Sequence, residues 1–332
     1  MKAPPHDDLF VIGDIHGCAT ELRLLLNELP LVSNSKVIFL GDYIDRGPDS
    51  RSVIETIIEL EKKVTVIPLV GNHEQMFLSF LEDPNTEEGG MFIYNGGSAT
   101  LESYRTGSED FLVPEEHLNF FKDLKVAHQE SDYFFVHAGV PEKALDKIDF
   151  NQDLNTLLWV REPFLSSQYD WGATIVHGHT PVEKVETLKN RINLDTGCVF
   201  DRRLSAVGLP SMRVYSVAKQ SETYPIFLKE VDSNRIAKRF KGRIPVFAFK
   251  DNRTFEFMTV DFNEFGLFMK DLSGEEFVHY PEGQFIEGMI GSHGYNQAEF
   301  SGKIVRVEKK DDGLYYAVQM NERVQVKVVP KK

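Results

Sequence analysis

Apolar residues in this chain gather in short runs that stop at glycine. Leu9 to Ile12 ends at Gly13, Val37 to Leu40 at Gly41, and Val64 to Val70 at Gly71. Runs of this length closed by glycine predict buried strands. Between them the period changes. Leu22, Leu25, Leu26 and Leu29 fall on one face of a helix predicted over 19–29, and Val53, Ile54, Ile57 and Ile58 do the same over 51–62. A third helical pattern runs from Glu74 to Leu81. Strand and helix in alternation predict an α/β layer architecture, in which ligands gather beyond the carboxyl ends of the strands. Three later runs, "YFFVHAG" (133–139), "TIVHGHT" (174–180) and "INLDTG" (192–197), close in the same way.

Beyond about Tyr215 the grammar is different. "RIPVFAFK", "TFEFMTVDF", "GLFMKDL", "GKIVRVEKK", "LYYAVQM" and "RVQVKVV" read as short strands with little helical pattern between them. They predict a small all-β barrel. The boundary falls near 220–232, in the polar stretch around "AKQSETY", giving domains 1–222 and 223–332.

Composition adds limits. The 332 residues are 42% hydrophobic, enough for real cores. No apolar stretch approaches the roughly 20 residues that span a bilayer. The start, "MKAPPHDDLF", lacks a secretory h-region. Two cysteines, Cys18 and Cys198, make no disulfide framework and have no cysteine partner at zinc spacing. Both read as buried small hydrophobes. A cytoplasmic protein with no membrane partner is the expectation. The net charge of -14 is uneven: 20 basic and 35 acidic residues precede Phe227, whereas 17 and 16 follow from there. An acidic body argues against nucleic acid as a partner, though not against a phosphate ester at a local cationic site.

The chemistry lies in three glycine-led motifs: "GDIHG" at 13–17, "GDYIDRG" at 41–47 and "GNHE" at 71–74. Their starts lie 28 and 30 residues apart, one strand–helix unit each. Three adjacent parallel strands would bring these loops to one place, joined by His137 of "HAG" and His179 of "GHT". The converging donors are Asp14, His16, Asp42, Asn72, His137 and His179. Mixed oxygen and nitrogen ligation without thiolate suits manganese, iron or zinc at a catalytic site. Six donors exceed one ion's needs and suit two, with Asp42 shared. Asp195 of "LDTG" is either an outer partner of the metals or a turn residue, and His177 has the same two readings.

This set resembles the phosphoprotein phosphatase family of dinuclear metallophosphoesterases over roughly residues 8–217. The resemblance implies an α/β sandwich with helices flanking central sheets. It implies two divalent cations, manganese foremost, with Asp14 and His16 on the first, Asp42 bridging, and Asn72, His137 and His179 on the second. His73 matches the general acid, Asp45 its support, and Arg46 a phosphate-binding arginine. Arg161 in "LLWVREPF" looks like a second such arginine. Because Asp45 and Glu74 are both present, the resemblance favours phosphoserine and phosphothreonine proteins as substrates. The alternative is a dinucleoside polyphosphate or small-molecule phosphohydrolase. "YNGGSATLESY" (94–104) resembles a capping loop of bacterial members, or is a plain helix start.

In the second domain, "RIAKRFKGR" (235–243) precedes a strand and "DFNEFG" (261–266) closes the next. Together they resemble the PilZ domain, a receptor for cyclic di-GMP. Arg239 and Arg243 would grip phosphate and guanine edges, and Asp261, Asn263 and Gly266 would meet the base. Asn263 departs from the serine usual there. The two halves suggest hydrolysis regulated by a nucleotide. A reading of another class is a non-catalytic cyclic di-GMP effector that binds a protein partner.

Overall fold

The structure is a computed structural model, described for residues 7–106, 110–220, 240–241, 243–250, 253–263, 265–274, 278–291 and 298–320. Contacts divide the chain into two compact units, Met1–Gln75 with Ala99–Ser221 and Met76–Ser98 with Glu222–Lys332. Segment 76–98, which precedes the expected boundary by far in sequence, thus groups with the C-terminal residues. The expected cut at residue 222 lies outside the described residues.

In the first unit the predicted alternation is present. Strands β1 (Leu9–Ile12), β2 (Lys36–Phe39) and β3 (Thr65–Pro68) are separated by α1 (Ala19–Glu28) and α2 (Ser50–Glu61), and α3 (Asn72–Glu82) follows β3. The three strands are parallel neighbours. β1 is buried along its whole length, as a strand covered on both faces must be. Asp49 caps α2 by accepting from Ser52 N at 3.0 Å, and Val53, Ile54, Ile57 and Ile58 form its buried face. Losing such a cap costs about 1 kcal/mol. α3 begins at Asn72, two residues before the periodic pattern does, so its first turn consists of "NHE".

Helices α4 (Glu87–Phe92) and α5 (Ser98–Ser103) come next, then a two-strand ribbon, β4 (Arg105–Thr106) with β5 (Asp110–Phe111), and α6 (Glu115–Lys122). Strands β6 (Ala127–Glu130), β7 (Tyr133–Val136), β8 (Thr174–His177), β9 (Glu186–Thr187) and β10 (Arg191–Asn193) form a second sheet in the order β6-β7-β8-β10-β9. The short helix α7 (Leu154–Trp159) lies between β7 and β8 in sequence. Two antiparallel strands, β11 (Arg203–Leu209) and β12 (Arg213–Ala218), extend the first sheet to β12-β11-β1-β2-β3.

The two sheets share a core. Leu9, Val11, Ile38, Leu40, Ile67 and Leu69 meet Phe135, Val176, Ile192 and Leu194. The pleat sends alternate side chains of β7, Phe134 and Val136, to a second cluster with Leu157, Phe164 and Trp171. With α1 and α2 packed on the first sheet, this is a sandwich whose strand ends open toward one set of loops.

The second unit holds β13 (Phe240–Lys241), β14 (Pro245–Lys250), β15 (Arg253–Asn263), β16 (Gly266–Asp271), β17 (Phe285–Ile290), β18 (Ala298–Lys310) and β19 (Gly313–Met320). Six of these close into an all-β barrel in the order β15-β14-β17-β18-β19-β16, and β16 pairs back onto β15. Segment 76–98 packs within this unit. A Cβ on Gly90 would meet Ile244 Cδ1 at 2.3 Å, and the Tyr94 ring stacks on Phe262 with centroids 5.2 Å apart.

Of the expected nucleotide site, Arg239 lies outside the described residues, and Arg243 is exposed just before β14. Asp261 and Asn263 end β15, and Gly266 opens β16 opposite Asn263. Asn263 is buried, and its Oδ1 accepts from Phe265 N at 3.0 Å, closing the hairpin turn. The Asp-x-Asn-x-x-Gly pattern therefore has a turn-forming role here.

Candidate active site

Every loop that carries an expected ligand leaves the carboxyl end of a strand in the first unit. Asp14 and His16 follow β1; Asp42, Asp45 and Arg46 follow β2; Asn72 and His73 open α3 after β3; His137 follows β7; His179 follows β8. Five of these residues adopt left-handed backbone: His16 (φ 47°), Asp42 (52°), Asp45 (72°), Arg46 (66°) and His179 (66°). Such conformations cost about 1–3 kcal/mol each and persist where the surroundings over-determine them. Here the loops grip one another. Asp42 O accepts from Ile15 N at 3.0 Å and His16 N at 2.9 Å. The Glu74 carboxylate accepts from Asp42 N (2.9 Å), Tyr43 N (2.8 Å) and Gly71 N (2.9 Å). Close approach explains two glycines. A Cβ on Gly178 would sit 2.0 Å from Asp14 Oδ1, and one on Gly71 would sit 2.2 Å from Asp42 Oδ1.

The donors converge on Asp42. His16, Asp42 and His73 form one group of ligand atoms, and Asp42, His137 and His179 a second, each within 4.8 Å. Asp42 belongs to both. Asp14 lies beside it and accepts from His179 N at 3.0 Å through Oδ2, while its buried Oδ1 has no partner. The imidazole tautomers are set from outside. His137 Nδ1 donates to Leu40 O and His16 Nδ1 to Ile44 O, both at 2.8 Å. Their Nε2 lone pairs are left pointing inward. His137 Nε2 faces Asn72 Oδ1 at 2.9 Å and Asp42 Oδ1 at 3.4 Å. His179 Nδ1 reaches the same Asn72 Oδ1 at 3.0 Å.

Electrostatics give the same picture. Burial pushes the Asp14 carboxyl well up, with Asp195 and Asp42 adding to it. Burial pushes Asp42 up to about 7 and Asp195 up to about 6. Burial also lowers the imidazoles, His137 to about 4 and His16 and His179 well below their ordinary value. Carboxylates crowded together with neutral imidazole lone pairs and an orphaned Asp14 oxygen make a cavity of acceptors. Divalent cations would relieve that arrangement, so the residues fit a two-ion centre.

Beside this centre, His73 Nδ1 contacts Asp45 Oδ2 at 2.6 Å. Asp45 is itself fixed, because Thr100 Oγ1 donates to its Oδ1 at 2.6 Å. Arg46 Nη1 donates to His16 Nε2 at 2.8 Å, and its guanidinium lies 5.6 Å from the Phe200 ring centroid. Arg161 has a buried Nε without a partner. Its pKa is lowered, first by burial and then by the positive charge of Arg46. Two guanidiniums driven into one another's field make a place for an anion.

All ten residues expected at the centre are thus brought together, from Asp14 to His179. Asp195 accepts from Gly197 N at 3.0 Å while its charge acts on Asp14, so it serves as both turn residue and neighbour of the ligands. His177 is buried and faces the Phe164 ring on the other side of the sheet. Sequence reasoning missed Thr100, Ser50 and Phe200. The first two hold the Asp45 loop, with Ser50 Oγ accepting from Asp45 N at 3.2 Å. Thr100 stands 55 residues from its partner, beyond the reach of a local pattern, whereas Ser50 lies only five residues from Asp45.

Residues 8–205 match the family model described as calcineurin-like phosphoesterase. Two curated relatives are named asymmetrical bis(5'-nucleosyl)-tetraphosphatase PrpE. The one from Oceanobacillus iheyensis is 29% identical over 242 residues, covering 63% of this chain and 92% of that protein. The one from Geobacillus thermodenitrificans is 28% identical over 240 residues, covering 65% and 96%. A solved structure described as a candidate diadenosine tetraphosphatase superposes with a TM-score of 0.50 at 21% identity, covering 64% of this chain and 94% of that one. With the sandwich in place and histidine–aspartate clusters that could hold metal, the chain belongs to the calcineurin-like phosphoesterase family.

Proposed function

We propose that this phosphoesterase hydrolyses dinucleoside tetraphosphates, the alternative weighed from the sequence beside its leading reading of a protein phosphatase, and that its cleavage is asymmetrical, as the relatives' names state for them. The named relatives support it, because the matched region spans nearly all of each of them. The observation in the molecule that carries it is Phe200. Its ring is 49% exposed and lies against Arg46, so a nucleobase can stack where a phosphate chain is held.

Asp14, His16, Asp42, Asn72, His137 and His179 would hold two divalent cations. When bound, these supply charge for the phosphoryl oxygens and a water acidic enough to attack near neutral pH. Arg46 and Arg161 orient the remaining oxygens with planar forks. His73 would give a proton to the leaving oxygen, with its ring fixed by Asp45 through Nδ1. A nucleotide departs as a stable anion and needs little help from a proton donor. A serine alkoxide needs much more, and the His73–Asp45 pair is the one observation that favours phosphoproteins as a second reading.

One assay separates the two. The full chain with manganese is given a dinucleoside tetraphosphate and a phosphoserine peptide in parallel. The proposal expects nucleoside triphosphate plus monophosphate, with kcat/KM at least about ten-fold above the peptide's. Replacing Phe200 by alanine should raise KM for the dinucleotide about ten-fold or more, the worth of one stacked base, and leave the peptide's unchanged. Two nucleoside diphosphates, or a peptide turned over faster, would overturn it. Calorimetric titration of the full chain and of Arg243→Ala with cyclic di-GMP tests the receptor expectation for the barrel.

A further inference from the structure

Two loops of the first unit end side by side on sulfur. Cys18 stands at the start of α1, directly behind the loop of Asp14 and His16. Cys198 follows the turn that holds Asp195. They are 1% and 2% exposed, and the chain has no other cysteine. Cys18 Sγ donates to His16 O at 3.5 Å, and the neighbouring Cys18 thiol together with burial pushes the Cys198 thiol up.

In the first turn of α1, Glu21 adds a carboxylate. One of its oxygens and both sulfurs lie within 4.8 Å of one another. Glu21 is 1% exposed. Its Oε1 accepts from Lys219 Nζ at 3.1 Å and Gln220 N at 2.8 Å, whereas its buried Oε2 has no partner. A buried carboxylate oxygen left unpaired is costly.

We propose that Cys18, Glu21 and Cys198 form a metal site distinct from the catalytic centre, suited to a thiophilic divalent cation such as zinc. Thiolate pairs select such ions, and the catalytic centre contains none. The charges close. Two thiolates, one carboxylate and a divalent cation sum to -1, and the Lys219 ammonium brings the cluster to neutrality. The two thiol protons leave to solvent as the ion enters. Burial then strands no net charge. A disulfide between the cysteines would leave the orphaned Glu21 oxygen as it is, whereas a cation gives it a partner. Lys219, whose side chain is 17% exposed, lies on the Glu21 side. A filled site would tie the Asp14–His16 loop to the Asp195 turn.

Cadmium titration of the reduced, chelator-treated full chain tests this. Thiolate-to-cadmium absorption in the ultraviolet reports this site alone, because these two residues are the only thiols. One equivalent should saturate the band, and zinc should displace it. Cys198→Ser should abolish it. Glu21→Gln, which keeps both sulfurs, should weaken cadmium binding by at least about ten-fold, since even outer partners of a metal are worth that much. This second variant decides the matter if Cys198→Ser does not fold. Asp42→Asn should leave the band intact. No band while both thiols titrate as free would overturn the site. So would cysteines found joined as a disulfide that take up no cadmium.

Discussion

Thr100 Oγ1 lies 2.6 Å from Asp45 Oδ1 and 2.9 Å from Asp45 N, so one hydroxyl fixes both the carboxylate and the backbone of the residue that orients His73. The other carboxylate oxygen is on His73 Nδ1. Thr100→Val keeps the shape and removes the clamp. Its kcat should fall about ten-fold with little change in KM, as for loss of one positioning hydrogen bond. The loss should be larger on substrates with poor leaving groups. Equal losses on good and poor leaving groups would show that the clamp does not act through His73.

Asp42 is common to both groups of ligand atoms. Asp42→Asn should therefore lower the occupancy of both ions, read as metal per chain after dialysis. Turnover should fall more than about a hundred-fold, beyond the cost of losing an outer partner. Removing metal from the unmodified chain with a chelator should abolish turnover and lower the melting temperature, and manganese should restore both.

Glu74 provides a different check, on stability. Its carboxylate accepts from four backbone N–H groups of the β2 and β3 loops, those of Asp42, Tyr43, Ile44 and Gly71. Glu74→Ala leaves them buried and unpaired. A loss of about 3 kcal/mol or more is expected in denaturant unfolding of the metal-free chain. A loss below about 1 kcal/mol would mean that water or loop movement satisfies those groups.

His117 sets a pH dependence away from the metals. It is buried, its Nδ1 is 2.8 Å from the Tyr104 hydroxyl, and burial lowers its pKa. The unfolded chain binds a proton there near the ordinary value of about 6.5, before the folded chain does. Its stabilising share is then complete above about pH 7.5 and is lost as pH falls through 6.5 toward the folded value. His117→Gln removes the titration. The variant's denaturation midpoint should fall less than the parent's between about pH 7.5 and 5, and parallel curves would refute the assignment.

The catalytic architecture was legible because its signals are local. A strand–helix unit has a set length, so intervals of 28 and 30 residues predicted adjacent parallel strands, and β1, β2 and β3 are such neighbours. Glycines beside acids and imidazoles marked the loop ends. What escaped depends on chain segments far apart in sequence. Strand β11 returns antiparallel to β1 from residue 203 onward, and β12 pairs antiparallel to β11. Cys18 meets Cys198 across most of the first unit. The PilZ-like pattern matched residues whose local task is a turn, because Asn263 closes a hairpin whether or not a ligand binds.

Segment 76–98 has a consequence for anyone who would trim this protein. It starts inside the helix that presents His73 and ends two residues before Thr100, yet its rings are covered by Phe262 and its own Phe77, Phe80 and Phe92. A chain stopped after residue 220 would keep every ligand and still expose Tyr94 and the face of Gly90 to water. Cutting the barrel away should therefore yield a sticky, poorly folding fragment, because apolar rings of 76–98 would lose the cover they have within their own unit.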